Sequence, residues 1–125
     1  MTDTRDSTFD GPALDPSALA ELRTFCDPGE DDLVAELVEI FLDDTPKRLD
    51  ALGTAVGAGD ARGIAAEAHA MKSSSGQLGA VVFSALCKEL ETRGREERLD
   101  GIEALFARLL DEMTRVRTAL GKVTS

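Results

Sequence analysis

Residues 65–80 read Ala-Ala-Glu-Ala-His-Ala-Met-Lys-Ser-Ser-Ser-Gly-Gln-Leu-Gly-Ala, and their spacing indicates a helix with one packed side. Apolar or small residues recur in alternating steps of four and three, which places them on one face of an α-helix. The small size of these residues suits close packing against a core, and the stripe comprises Ile64, Ala68, Met71, Ser75 and Leu78.

A second face of the same helix carries His69, the only histidine of the chain. Lys72, Ser73 and Gly76 follow it at three, four and seven residues and therefore share its side. Neutral imidazole is a nucleophile near physiological pH, and a lysine one turn away can neutralise negative charge that arrives on it. An open nucleophile beside a cation suits transient carriage of a phosphoryl group. The neighbours are small enough to let another surface approach, namely Ala65, Ala66 and Ala70.

These residues resemble the motif of histidine-containing phosphotransfer (HPt) domains of phosphorelays, which runs roughly His-x-Leu-Lys-Gly-Ser-Ser-x-x-Leu-Gly. The resemblance covers most of residues 30–120 and implies that His69 accepts a phosphoryl group on Nε2 while Lys72 balances charge on its oxygens. Ser73 stands where the family usually has glycine, so its hydroxyl either narrows access to the imidazole or hydrogen-bonds the imidazole or its phosphate. The matching positions are His69, Met71, Lys72, Ser74, Ser75, Leu78 and Gly79.

A purely structural interpretation of the same stretch stands beside this one. A lone histidine in a helical protein is most often a surface or core residue, and Ser-Ser-Ser-Gly also suits a helix end capped by Gly76 or Gly79. The motif leads us to prefer the phosphoacceptor interpretation for His69 and Lys72. For Ser74 and Ser75 we prefer a role as small residues between close helices.

Composition favours one helical domain with a protein partner. A length of 125 residues suits a single domain, and abundant alanine and leucine without Trp or Tyr favour helix over sheet. The net charge of -10 argues against nucleic acid and anionic membranes as partners and favours a partner with a basic docking patch.

The two cysteines and the absence of a membrane signal suggest a cytoplasmic protein. Cys26 and Cys87 are too few and too far apart to indicate a metal site or a disulfide framework. The sequence has no signal-peptide pattern and no apolar run of membrane-spanning length. Because the chain begins at Met1 and fits one domain, we expect a free-standing shuttle. We also expect it to be a monomer.

Helical spacing predicts an all-α fold, an antiparallel four-helix bundle with a short extra N-terminal helix. We expect residues 1–14 to form a flexible tail and residues 15–122 to form the bundle domain. Asp15 as N-cap and Pro16 at the first helical position begin the short helix, which should end near Phe25, before a break at residues 27–29. The longer helices are predicted at about residues 31–56, 61–77, 80–93 and 96–120.

Several residues predict the ends, bends and buried sides of these helices. Pro46 should kink the first long helix or force a local adjustment. The stripe of that helix should include Ile40 and Phe41 and be widened by residues such as Val34 and Val38. Asp60 should cap the histidine helix. Gly94 should end the third, and Gly121 with Lys122 should mark the end of the last, in which Leu110 is expected to face inward.

The chain lacks the parts of an enzyme that would phosphorylate itself. It has neither a Gly-rich phosphate loop nor a P-loop lysine motif. We therefore expect a phosphoryl carrier, not an enzyme, that exchanges phosphate with receiver-domain aspartates or a histidine kinase. No cofactor or metal is expected on this chain, and Mg²⁺ would be held by the receiver. The expected partner-binding residues surround His69 on its helix: Ala65, Ala66, Ala70, Ser73, Gly76 and Gln77.

Three alternatives come from other functional classes. An HPt-like module that docks and regulates a kinase or receiver without transfer would fit the serine at position 73. A metal or cofactor bundle would need several histidines or Glu-x-x-His pairs, and the chain has one histidine. A Ser-His-Asp or Cys-His catalytic site would need nucleophile motifs that the sequence lacks.

Overall fold

The computed structural model describes residues 11–18, 20 and 32–124. This part of the chain contains four long helices and no strand: α1 (Asp32–Ala58), α2 (Ala61–Gln77), α3 (Val81–Arg95) and α4 (Ile102–Thr124). Short links make consecutive helices antiparallel. Contacts join α1 to α2, α2 to α3, α3 to α4 and α4 to α1, so α2 and α4 lie on a diagonal. The predicted antiparallel bundle is confirmed.

Helix α2 has the bounds that the sequence predicts, and its ends show why. Asp60 is the N-cap, because its side chain accepts a hydrogen bond from the Gly63 N–H at 3.1 Å. At the other end Gly79 takes φ +78°, and the Ala80 N–H donates to the Ser75 carbonyl at 3.0 Å. This is the Schellman closure that glycine favours. The predicted inward stripe is buried throughout: Ile64, Ala68, Met71, Ser75 and Leu78.

The described segment before α1, residues 11–18, is hydrogen-bonded to the turn between α2 and α3. Asp15 accepts a hydrogen bond from the Ser17 N–H at 3.0 Å, and helical geometry begins at Pro16, as predicted. The Asp15 N–H donates to the Gly79 carbonyl at 2.7 Å. Of the residues assigned to the tail, Ala13 and Leu14 pack against the core. Residues 1–10, the predicted helix end near Phe25 and the break at 27–29 lie outside the described residues.

Helix α1 runs through Pro46 as one helix, and its buried side matches the predicted stripe only in part. The predicted Phe41, Val34 and Val38 are buried. Ile40 is 63% exposed, so its predicted inward orientation is wrong. Apolar residues occupy two neighbouring stripes of α1, and the buried one is the stripe whose steps of four and three continue down the whole helix. That buried side comprises Val34, Val38, Phe41, Thr45, Leu49, Leu52 and Val56.

Gly94 does not end α3, contrary to prediction, but lies buried inside it. A Cβ atom at this position would lie 2.7 Å from the Ala61 carbonyl oxygen and 2.9 Å from the Ala65 nitrogen. The absent side chain therefore lets the backbones of α2 and α3 approach closely.

The predicted bounds of the last helix are also corrected. Glu97 and Gly101 have φ of 55° and 72°, so left-handed backbone interrupts the segment and α4 begins at Ile102 rather than residue 96. Gly121 lies inside α4, which continues to Thr124, and Leu110 is exposed. Among the described helices, none combines the length and the apolar character needed to cross a bilayer.

Candidate functional site

His69 lies on the outer side of α2, opposite the buried Ala68 and Met71 stripe, and its side chain is 58% exposed. Its Nδ1 atom lies 2.9 Å from Oε2 of Glu91, which comes from α3. The contact joins residues 22 positions apart in the sequence. The imidazole is therefore both accessible and held at one nitrogen.

Glu91 connects His69 to two cations. Its side chain is only 4% exposed, and its Oε1 atom accepts a hydrogen bond from Lys72 Nζ at 2.6 Å. The Arg95 guanidinium lies 2.7 Å from Oε2, the oxygen that also contacts His69. One buried carboxylate thus fixes the relative positions of the imidazole and the ammonium group.

The electrostatics around Glu91 decide which nitrogen of His69 holds the proton. Burial by itself raises the pKa of Glu91, but hydrogen bonds from Lys72 and His69 and the charges of Lys72 and Arg95 outweigh it. The net result is a pKa below the ordinary value. An ionised carboxylate can only accept hydrogen bonds, so Nδ1 of His69 must donate. The neutral ring then carries its free lone pair on Nε2, the nitrogen that Glu91 does not contact.

The close approach of α2 and α3 brings these groups together. Gly94 lies one turn beyond Glu91 on α3, where the backbones meet at Ala61 and Ala65. Further along the same contact, the Ser84 hydroxyl donates to the Lys72 carbonyl at 3.2 Å. Helix α3 is therefore anchored to α2 on both sides of the carboxylate.

The structure places the predicted site residues in two groups. His69 and Lys72 meet at Glu91, as described above. The predicted partner-binding residues follow the outer side of α2, where four are exposed and two, Ala65 and Ala70, are partly buried. Ala65 faces the α3 contact at Gly94. The exposed four are Ala66, Ser73, Gly76 and Gln77.

The hydroxyls of two motif serines bond to the helix itself. The Ser75 side chain is buried and donates to the Met71 carbonyl at 2.6 Å, and Ser74 donates to the same oxygen at 3.3 Å. These contacts fit the preferred interpretation that both serines are small packing residues of α2.

Glu91 and Arg95 were missed by the sequence reasoning, although a signal for Glu91 exists. Cys87, Glu91 and Gly94 are spaced by four and three, which places a carboxylate on the face of α3 that carries small residues. A charged residue on such a face needs a partner from a neighbouring helix. Arg95 gives no comparable signal, because an arginine four residues after a glutamate is common on exposed helices.

The described part of the chain gives little support to a cysteine nucleophile or to a metal site. Cys87 is buried, and burial, followed by the charge of Glu91, raises the pKa of its thiol to about 12, so it is not a thiolate at neutral pH. No group of three or more His, Cys, Asp or Glu side chains in the described ranges is arranged to hold a metal ion.

Comparisons with known proteins agree with this geometry. A family model described as Hpt domain matches residues 36–119. The crystal structure of histidine-containing phosphotransfer protein B (HptB) from Pseudomonas aeruginosa PAO1 is similar, with 34% sequence identity and a TM-score of 0.81. The match covers 90% of this chain and 95% of that one. A comparison with curated protein sequences gave no significant match. The chain therefore belongs to the Hpt domain family, the histidine phosphotransfer modules of phosphorelays.

Proposed function

We propose that this Hpt domain accepts a phosphoryl group on Nε2 of His69 from a receiver-domain aspartate or a histidine kinase and passes it to a receiver-domain aspartate. The contact between His69 Nδ1 and Glu91 Oε2 is the observation that carries this proposal. It leaves the lone pair on Nε2, the nitrogen that Glu91 does not contact, and the side chain is exposed enough for a donor to approach.

The transfer step balances without an external acid or base. The Nε2 lone pair attacks phosphorus, and the bond from phosphorus to the donor aspartate oxygen breaks, with the electron pair leaving on the carboxylate. The proton stays on Nδ1, so the ring becomes positively charged, and the adjacent Glu91 carboxylate offsets that charge. Onward transfer is the reverse step with a different receiver, and positioning supplies most of the catalysis.

Lys72 has the position for a second role. Its ammonium group, one turn from His69, is partly buried and anchored to Glu91. From there it can turn towards the phosphoryl oxygens and balance their charge. Mg²⁺ is assigned to the receiver and no cofactor to this chain.

The proposed docking surface is the outer side of α2 around His69. Small side chains leave the imidazole open there, and the net charge of -10 favours a receiver with a basic rim. The proposed carrier is monomeric and cytoplasmic. The surface consists of Ala65, Ala66, Ala70, Ser73, Gly76 and Gln77.

A non-transferring docking module is the second candidate. Ser73 is exposed one turn after His69, at the position where the motif usually has glycine. A hydroxyl there narrows the approach to the imidazole and favours docking over transfer.

A transfer assay with a panel of phosphorylated receivers and kinases separates the two candidates. We expect acid-labile label on the wild-type chain, none on His69→Gln, and slower labelling of Lys72→Ala with the fold intact. Label on His69→Gln would contradict the assignment of the acceptor. Binding of a receiver without any labelling would favour the docking module.

A further inference from the structure

We infer that Arg95 is a positioning residue for phosphoryl exchange: it keeps the buried Glu91 carboxylate paired and in place when Lys72 turns to the phosphoryl group. This inference rests on the proposed function, because it concerns the state in which His69 carries phosphate. Arg95 is expected to touch neither the phosphate nor the donor, and to act through Glu91.

The two oxygens of Glu91 contact different partners, and this arrangement suits the role proposed for Arg95. Lys72 contacts Oε1 at 2.6 Å, whereas Arg95 and His69 both contact Oε2, at 2.7 and 2.9 Å. Movement of Lys72 therefore vacates Oε1 and leaves the contacts at Oε2 unchanged. The imidazole keeps its orientation as long as Oε2 stays where it is.

Phosphorylation draws Lys72 away from this carboxylate. The phosphoryl group is attached to Nε2, on the opposite side of the ring from the nitrogen that faces Glu91. An ammonium that follows the phosphoryl oxygens must move away from Oε1. A carboxylate that is 4% exposed then loses one of its cations, and a buried charge without a counter-charge is strongly unfavourable.

Arg95 is suited to be the cation that remains paired with Glu91 when Lys72 moves. It lies four residues after Glu91 on α3, so the same helix holds both groups. Its side chain is 68% exposed, so it keeps contact with solvent and is not required for packing of the core. A substitution at this position can therefore change the site without unfolding the bundle.

The ion pair between Arg98 and Glu96 offers a matched control. Its two groups lie 2.6 Å apart, as close as those at Glu91, but both side chains are more than half exposed. An arginine-to-glutamine change at position 98 removes the same kind of charge near the same end of α3, without a buried partner.

The experiment compares Arg95→Gln, Arg95→Lys and Arg98→Gln with the wild-type chain. A receiver that labels the wild type is mixed with each variant, and the equilibrium constant for phosphoryl exchange is measured by quantifying label on both proteins. For Arg95→Gln we expect a shift of about tenfold towards the receiver, above the roughly one- to fivefold effect of an ordinary exposed ion pair. Arg95→Lys should recover most of the lost equilibrium constant, and Arg98→Gln should stay within the roughly one- to fivefold range of an exposed ion pair.

Long-range ¹H–¹⁵N spectra of the imidazole give a readout that a merely structural role would not move. In unphosphorylated Arg95→Gln, Lys72 still pairs with Glu91, so the proton should remain on Nδ1. In the phosphorylated variant the Nδ1 resonance should shift from its wild-type position.

Three results would overturn the inference. These are an exchange constant for Arg95→Gln equal to that of Arg98→Gln, failure of Arg95→Lys to recover the loss, and an unchanged Nδ1 resonance in the phosphorylated variant. If the wild-type chain accepts no phosphoryl group from any donor, the proposed function itself fails, which is a separate result.

Discussion

Replacing Glu91 by glutamine keeps the size of the side chain and removes its charge, which tests whether the carboxylate selects the nucleophilic nitrogen of His69. In the wild type the two carboxylate oxygens of Glu91 contact side-chain nitrogens of Lys72, Arg95 and His69 at 2.6, 2.7 and 2.9 Å. Glutamine has one acceptor oxygen, and its amide N–H groups can donate to Nδ1. The imidazole proton then moves to Nε2, and Nε2 loses its free lone pair.

The expected decrease in the rate of transfer follows from the loss of one hydrogen bond to a charged group. Such a bond contributes about 1.5–3 kcal/mol, and the bond between Nδ1 and Glu91 strengthens as the ring becomes positive during transfer. Its loss should slow transfer to His69 by roughly 10- to 150-fold. A single-turnover, rapid-quench assay with a phosphorylated receiver measures this rate, and ¹⁵N spectra report the tautomer.

Glu67→Gln is the matched control for Glu91→Gln. Glu67 is also a glutamate with an arginine partner, since its Oε1 lies 3.2 Å from Arg48, but it lies on the side of α2 that faces α1. This variant should transfer at the wild-type rate. If Glu91→Gln transfers within about twofold of Glu67→Gln, hydrogen bonding to the charged form of Glu91 does not select the nucleophile.

Two further predictions concern stability. Gly94→Ala should lower the free energy of unfolding by about 1–3 kcal/mol, because its Cβ would meet the α2 backbone, whereas Gly57→Ala, with open space around it, should raise it by about 0.5–1 kcal/mol. Urea denaturation measures both, and a Gly94→Ala variant as stable as wild type would refute the close-contact argument. Burial raises the pKa of Glu112, and Arg115 offsets this only in part, so the contribution of Glu112 to stability falls as pH rises through that raised pKa. Glu112→Gln should therefore have a higher free energy of unfolding than wild type at neutral pH, and this gain should shrink below pH 4.5. An equal gain at neutral pH and below pH 4.5 would count against the raised pKa.

The parts of the fold that were predicted well depend on interactions along one helix. Asp60, the alternating stripe and Gly79 mark the start, the buried side and the end of α2 by contacts within a few residues. The errors occurred where two local patterns competed. The wide apolar stripe of α1 suggested that Ile40 faces inward with Phe41, whereas the bundle buries Phe41 and leaves Ile40 exposed.

Gly94 shows why a local pattern can mislead. A glycine near the end of a helical segment usually marks its C terminus, and that expectation placed the end of α3 at residue 93, two residues too early. The position instead needs glycine because the backbone of α2 lies 2.7 Å from where a Cβ would be. This requirement for glycine comes from α2, so the residues next to Gly94 in the sequence do not reveal it.

The sequence by itself determined that the chain is a helical bundle and that His69 and Lys72 share one face of α2, because helical periodicity places residues three and four apart on the same side. The tertiary structure alone decided that Glu91 joins them, since it lies 22 and 19 residues away on α3. It also decided that Arg95 completes the cluster and that the free lone pair of His69 is on Nε2. Those properties depend on a carboxylate buried between two closely packed helices, and burial is a property of the assembled bundle rather than of any one helix.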